Sequence, residues 1–98
     1  MGEMICSFCG RYTKTRHHLI FGTSSRRLAD EDGIIIPLCD DCHNMAVKPA
    51  DRIHGNPTAE KLSKMLGQAL WEKKAVGAGK SESEAREAFM NRYGRSWL

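Results

Sequence analysis

The chain has no apolar run approaching membrane length, and no charged, apolar, small-residue leader opens it. The first lack argues against a membrane-spanning helix; the second removes the usual route to an oxidising compartment. The expectation is a soluble protein of the cytoplasm. Internal repeats and low-complexity tracts are also missing, which argues against a solenoid or a long disordered arm. A complete phosphate-binding loop is missing too. Gly79-Lys80-Ser81 matches the end of G-x-x-x-x-G-K-[ST], but Lys74 stands where the first glycine belongs and no strand precedes it.

The chain is also short of material for a core. Its 98 residues allow one domain, or one small domain with a helical extension. A core of that size is marginal, and a bound metal is a common staple. The formal net charge is +3 and the pI about 8.8, a mild excess that fits a nucleic-acid partner without requiring one.

The four cysteines fall in two Cys-x-x-Cys pairs, Cys6/Cys9 and Cys39/Cys42. Disulfide or redox use is the competing reading. Without a secretory leader the disulfides lose their compartment, and two residues between cysteines let both sulfurs reach one ion from a tight knuckle. Four thiolates complete a closed tetrahedral zinc site, so structural Zn2+ is favoured. Gly10 suits the positive φ that turns a knuckle's amides towards sulfur, and Phe8 is expected to pack beside the metal.

Along the chain, residues 1–5 suggest an edge strand. Arg11 to Arg16 is basic and reads equally as a solvated loop or a phosphate-contacting rim. His17 to Phe21 reads as a strand ending at Gly22, and Thr23 to Asp32 as a polar loop. Asp32-Gly33 signals a turn, followed by a strand over Ile34 to Ile36 that Pro37 ends. Asp40 and Asp41 suit the start of a short helix over Cys42 to Val47, closed by Pro49. Ala50 to Asn56 reads as irregular. Beyond Pro57, Thr58 is a candidate N-cap, and Leu62, Met65, Leu66, Ala69 and Leu70 form an amphipathic stripe expected to face the core of a helical hairpin. Gly77 and Gly79 break that helix. Ser81 and Glu84 form a capping box for a second helix with Ala85, Ala88, Phe89 and Arg92 or Tyr93 on one stripe and Gly94 at its end.

If zinc pins Cys42 at a helix start, His43 is held rigidly beside it. The strand bearing His17 and His18 must pack nearby to close so small a core. Successive strand residues face opposite ways, so His17 and His18 cannot both aim at one spot without a bulge. One histidine is ordinarily a satisfied polar group; several placed by a zinc frame point to a functional site.

The pattern C-x-x-C, then His17-His18 followed by apolar residues, then an apolar strand leading into PLC-x-x-CH, resembles the HNH endonucleases. The resemblance covers roughly Cys6 to Asn56. The tail, with His54-Gly55-Asn56, a tryptophan-bearing helix and the ending YGRSWL, is similar to small HNH proteins of phages and prophages. The resemblance implies a small α+β fold of ββα-metal type, treble-clef-like and zinc-stapled, over 1–56. A C-terminal helical extension over 57–98 would pack on it. It implies a metal-dependent DNA endonuclease, phage- or prophage-encoded, hydrolysing phosphodiester bonds by nicking or double-strand cleavage.

In that family pattern His17 would ligate a catalytic divalent metal (Mg2+, Mn2+, Ni2+ or Zn2+), His18 would be the general base and His43 a further ligand. His54 or Asn56 would complete the site. One departure stands out. The family's middle asparagine, which ties the loop bearing the base, usually lies near Ile34; here Asp32-Gly33-Ile34 occupies that place. Asp32 can accept such hydrogen bonds but cannot donate them. The physical need fits the residues: a neutral imidazole takes a proton from water, and a divalent ion stabilises charge on the phosphate and the leaving oxygen.

Double-stranded DNA is the expected partner, with Lys14, Arg16, Lys48 and Arg52 as phosphate contacts and Arg16, Arg26 or Arg52 as a phosphate clamp. Binding should fall steeply with salt. A phage protein is a further possible partner for the tail. The alternative is a non-catalytic zinc module that binds nucleic acid or protein; a redox or metal-carrying role for the Cys-x-x-Cys pairs is the third reading.

Overall fold

A computed structural model describes residues 3–98. Its first element is an antiparallel hairpin of β1 (Met4–Ile5) and β2 (Tyr12–Thr13). The tip is the first knuckle. Cys6 N–H donates to Arg11 O and Gly10 N–H to Cys6 O, and Gly10 takes φ 78° to close the turn, a conformation that costs glycine little. Phe8 points outward, 62 % exposed, rather than packing beside the sulfurs as expected.

The second sheet pairs β3 (Arg16–His18) with β4 (Ile35–Pro37), His17 opposite Ile36 and His18 opposite Ile35. The sheet is shorter than the two expected strands. Leu19 and Ile20 leave it to be buried under the helices that follow. Pro37 cannot donate, but its carbonyl accepts from Ser7 N–H at 3.0 Å and Leu38 N–H reaches Thr15 O at 3.0 Å. The first of these bonds joins the knuckle hairpin to the second sheet, and the second extends the β3–β4 pairing by one residue.

Between β3 and β4 the chain forms a helix, α1 (Ser25–Asp32), where a polar loop was expected. Its apolar signal is only Leu28 and Ala29, too brief to show a period. Ala29 is fully buried, and Gly33 at φ 71° makes a left-handed cap, with Ile34 N–H reaching back to Ala29 O. The expected helix over 42–47 is instead one wide turn, Asp41–Met45, followed by a tight turn at Pro49–Asp51.

The C-terminal part is a helical hairpin, α2 (Pro57–Gly77) and α3 (Glu82–Tyr93). Asn56, not Thr58, caps α2: its side chain accepts from Ala59 N–H at 3.2 Å with Pro57 at the first helical position. Ser81 and Glu84 form the reciprocal capping box on α3, and Gly94 closes it in the left-handed region.

α2 turns an unexpected face inward. Ser63, Gly67 and Gln68 are buried, while Leu62 (58 %), Leu66 (45 %) and Leu70 (45 %) stay exposed. The reason is closeness. A Cβ at Gly67 would stand 2.7 Å from Ile20 Cγ1 and 3.0 Å from Leu19 Cβ, so small residues must face that surface. Gln68 is satisfied there by Trp97 N–H, Ser96 Oγ and Glu72.

Two hydrophobic clusters result. One joins Leu19, Ile20, Ala29 and Ile34 to Phe89 and Tyr93, with Trp71 and Trp97 packed against it. The other gathers Leu38 and Ile53 around Cys6, Cys39 and Cys42. The protein is thus a small α+β molecule with two short sheets. The residues of 57–98 complete a core that 1–56 begins. Among the described residues, no helix is long and apolar enough to cross a membrane.

Candidate metal centres

The two Cys-x-x-Cys pairs meet. The sulfurs of Cys6, Cys9, Cys39 and Cys42 all lie within 4.8 Å of one another, and Cys9 Sγ is 3.6 Å from Cys39 Sγ. Tetrahedral zinc with bonds of about 2.3 Å puts its sulfurs roughly 3.8 Å apart, so the cluster fits one structural ion. No pair is bridged by a disulfide. Burial works against ionising Cys6, but amide hydrogen bonds from the two knuckles and the Cys9 thiol outweigh it and bring its pKa down to about 6. Burial and the neighbouring thiols push Cys42 the other way. Four thiols packed without a cation therefore resist full ionisation, which is the cost a dication removes.

A second cluster stands beside the first. Ring nitrogens of His17, His43 and His54 all lie within 4.8 Å of one another. The ring centroids are 5.2 Å (His17–His43), 5.1 Å (His17–His54) and 4.7 Å (His43–His54) apart, each pair steeply inclined. Three imidazoles so inclined meet edge to face rather than stacking. Each comes from a different local structure: β3, the wide turn after Cys42, and the loop before α2.

Sequence separation alone does not account for His54. Backbone pairing explains it: Ile53 N–H donates to Cys42 O at 2.8 Å and His54 N–H to His43 O at 3.0 Å. The segment runs back alongside the second knuckle, anchored by buried Ile53. Arg52 secures the loop by donating to His54 O and Ala46 O, both at 2.7 Å. Asn56 is committed to capping α2 and does not join the cluster.

Two of the three histidines are held neutral. Burial first, then the neighbouring histidines His43, His54 and His18, bring His17 down to about pKa 3. Burial first, then His54, lowers His43 as well, Asp40 opposing. His17 Nδ1 is, among the described residues, a buried side-chain atom with no hydrogen-bond partner. Its other nitrogen, Nε2, lies 2.7 Å from Ser63 Oγ, and Ser63 donates to Leu19 O at 2.8 Å. His54 Nδ1 is 3.5 Å from Glu60 Oε2. His17, His43 and His54 are a set of side chains that could hold a metal ion, and neutral imidazoles at His17 and His43 are the form such an ion requires.

His18 faces away from this group, as strand alternation requires. Its Nε2 is 3.2 Å from Asp30 Oδ1, in a cleft lined also by Gly22, Thr23, Arg26 and Arg27. Asp30, not Asp32, is therefore the acidic partner of the histidine pair. The two residues lie about 200° apart around α1. Asp32 faces the hairpin, where it accepts from Trp71 Nε1 (2.9 Å), Tyr93 Oη (2.7 Å) and both Arg92 Nε (2.7 Å) and Nη2 (2.8 Å). Asp32 thus does not stand in for a loop-tying asparagine; it ties α1 to α2 and α3. Burial opposes its ionisation, but Arg92, Tyr93 and Trp71 together hold its pKa below the usual carboxylate value.

Of the expected cationic contacts, Lys14, Arg16 and Lys48 are exposed. Arg52 is largely occupied by backbone carbonyls. Arg26, exposed on α1, lowers the proton affinity of His43 through its charge. Ser63, Glu60 and Asp30 were not singled out from sequence. Ser63 carried one usable sign, its place four residues before Gly67 on the same face of α2.

Comparison of the chain with protein-family models, with curated proteins and with solved structures gives no match. What the fold and the two clusters define directly is a small α+β protein with a four-cysteine group that fits structural zinc.

Proposed function

We propose that the protein is a metal-dependent HNH-type DNA endonuclease built on a ββα-metal, treble-clef-like core. The observation that carries this reading is the convergence of His17, His43 and His54 beside a four-cysteine group, with His18 turned out to the adjacent cleft. The motif resemblance in 6–56 supports it independently.

In this reading His17, His43 and His54 hold one divalent ion, which when bound stabilises negative charge at the phosphate and at the leaving oxygen. An all-imidazole donor set suits Ni2+ or Zn2+ better than Mg2+. His18 acts as general base. A hydrogen bond from His18 Nε2–H to Asp30 leaves Nδ1 with the lone pair that takes a proton from water. Arg26, lining the same cleft, is the better placed phosphate clamp, because Arg52 already serves carbonyls. Lys14, Arg16 and Lys48 supply phosphate contacts that position duplex DNA.

The test is supercoiled-plasmid cleavage across Mg2+, Mn2+, Ni2+ and Zn2+, with zinc already in the cysteine site. Wild-type protein should nick the plasmid, and His18→Ala, folded and zinc-loaded, should lose about 10²–10⁴-fold in rate. Cleavage retained by His18→Ala removes His18 as the base. A folded wild-type sample inert with every metal favours a non-catalytic zinc module instead.

A further inference from the structure

Ser63 lies on α2, outside the motif-bearing half of the chain, and is buried against β3 and the backbone that leaves it. Its hydroxyl carries one proton. Leu19 O, 2.8 Å away, can only accept, so that proton goes to Leu19. The Ser63 oxygen then offers lone pairs alone to His17 Nε2 at 2.7 Å, and Nε2 must carry hydrogen. A neutral imidazole has a single N–H, so the lone pair of His17 sits on Nδ1, the buried atom without a partner.

We propose that Ser63 is a positioning residue for the histidine centre: it fixes His17 as the Nε2–H tautomer and so offers Nδ1 to a divalent ion shared with His43 and His54. The proposal rests on reading that cluster as a metal centre. Two further observations place the same helix in this role. Glu60, three residues earlier, faces His54 Nδ1 at 3.5 Å, which leaves Nε2 of His54 for an ion. Gly67, one turn later, permits α2 to sit close enough for Ser63 to reach both groups. The hairpin is therefore part of the centre, supplying the outer contacts of two of its three histidines. Its sequence shows no metal-ligand pattern because it supplies hydrogen-bond partners rather than ligands.

The experiment uses full-length protein with zinc in the cysteine site, labelled with ¹⁵N-histidine. Imidazole nitrogen shifts read the His17 tautomer before any second metal is added, and calorimetry then measures Ni2+ binding. Wild type should show His17 as Nε2–H alone. Ser63→Ala should show a mixed or Nδ1–H form and bind Ni2+ about 10–100-fold more weakly, with Ser63→Thr recovering most of the loss. Wild-type His17 in the Nδ1–H form overturns the proposal whether or not the variants fold. So does a Ser63→Ala protein with unchanged tautomer and unchanged Ni2+ affinity. Wild type that holds Nε2–H yet takes up no Ni2+ supports the Ser63–His17 arrangement and overturns the metal reading beneath it.

Discussion

Gly67 of α2 lies against Ile20 so closely that an added methyl carbon would stand 2.7 Å from Ile20 Cγ1. Ile20 is fully buried and has little room to yield. Mid-helix glycine ordinarily costs about 1 kcal/mol relative to alanine. Here the overpacking cost of roughly 1–3 kcal/mol opposes that gain and should win. Gly67→Ala is expected to lower stability by about 1 kcal/mol and Gly67→Val by more, measured by urea unfolding. Both should also weaken Ni2+ binding, because α2 carries Ser63. Stabilisation by Gly67→Ala would show that the helix moves away from Ile20 without cost.

One zinc should be held per chain by the four cysteines, and Cys42→Ser should lose it. The second hydrophobic cluster is built around these cysteines and is small. Removing the ion leaves it with little to close the knuckles. Stripping zinc with a strong chelator should shift the melting temperature down by many degrees. Zinc content by elemental analysis and a melt on the same sample check both points. Unchanged melting after complete removal would show that the core holds without metal.

Acid should destabilise the form with no second metal at the histidines. His17 has an ordinary pKa of 6.5 and one of about 3 when folded, mainly because it is buried. The unfolded chain therefore binds the extra proton between these values, so stability is full above about pH 6.5 and falls as the pH drops towards 3. His43, also lowered, adds in the same direction. The loss is on the order of a few kcal/mol at about 1.4 kcal/mol per pKa unit. Urea midpoints from pH 7 to pH 4 should fall less steeply in His17→Gln than in wild type. Equal slopes would remove His17 as the source.

Asp32 joins three elements through one carboxylate. Asp32→Ala leaves Arg92, Tyr93 and Trp71 without their shared acceptor, a loss expected to cost about 2–4 kcal/mol. Asp30→Ala, at an exposed pair on the other side of α1, should cost under about 1 kcal/mol. If the nuclease reading holds, the effects on cleavage reverse: Asp30→Ala slows it, while folded Asp32→Ala keeps it. Parallel unfolding curves and plasmid assays separate the two roles. A catalytic defect in folded Asp32→Ala would return Asp32 to the neighbourhood of the base.

Features set by near neighbours in the chain were legible without the structure. Cys-x-x-Cys spacing marked the sulfur knuckles, Gly10 their turn, Ser81 and Glu84 a helix start, and Gly94 its end. Alternation along a strand separated His17 from His18. Each depends on groups only a few residues apart, whose geometry the backbone itself dictates. What the tertiary structure decided depends on which surfaces approach one another. Close contact with Leu19 and Ile20 selected the Ser63–Gly67 face of α2 over its leucine stripe. Pairing of Ile53 and His54 with Cys42 and His43 brought a distant imidazole home. The packing of α1 under the hairpin gave Asp30 to His18 and Asp32 to Arg92. A side chain's period says which residues share a face, but the neighbour that comes to cover that face is fixed only when the whole chain closes.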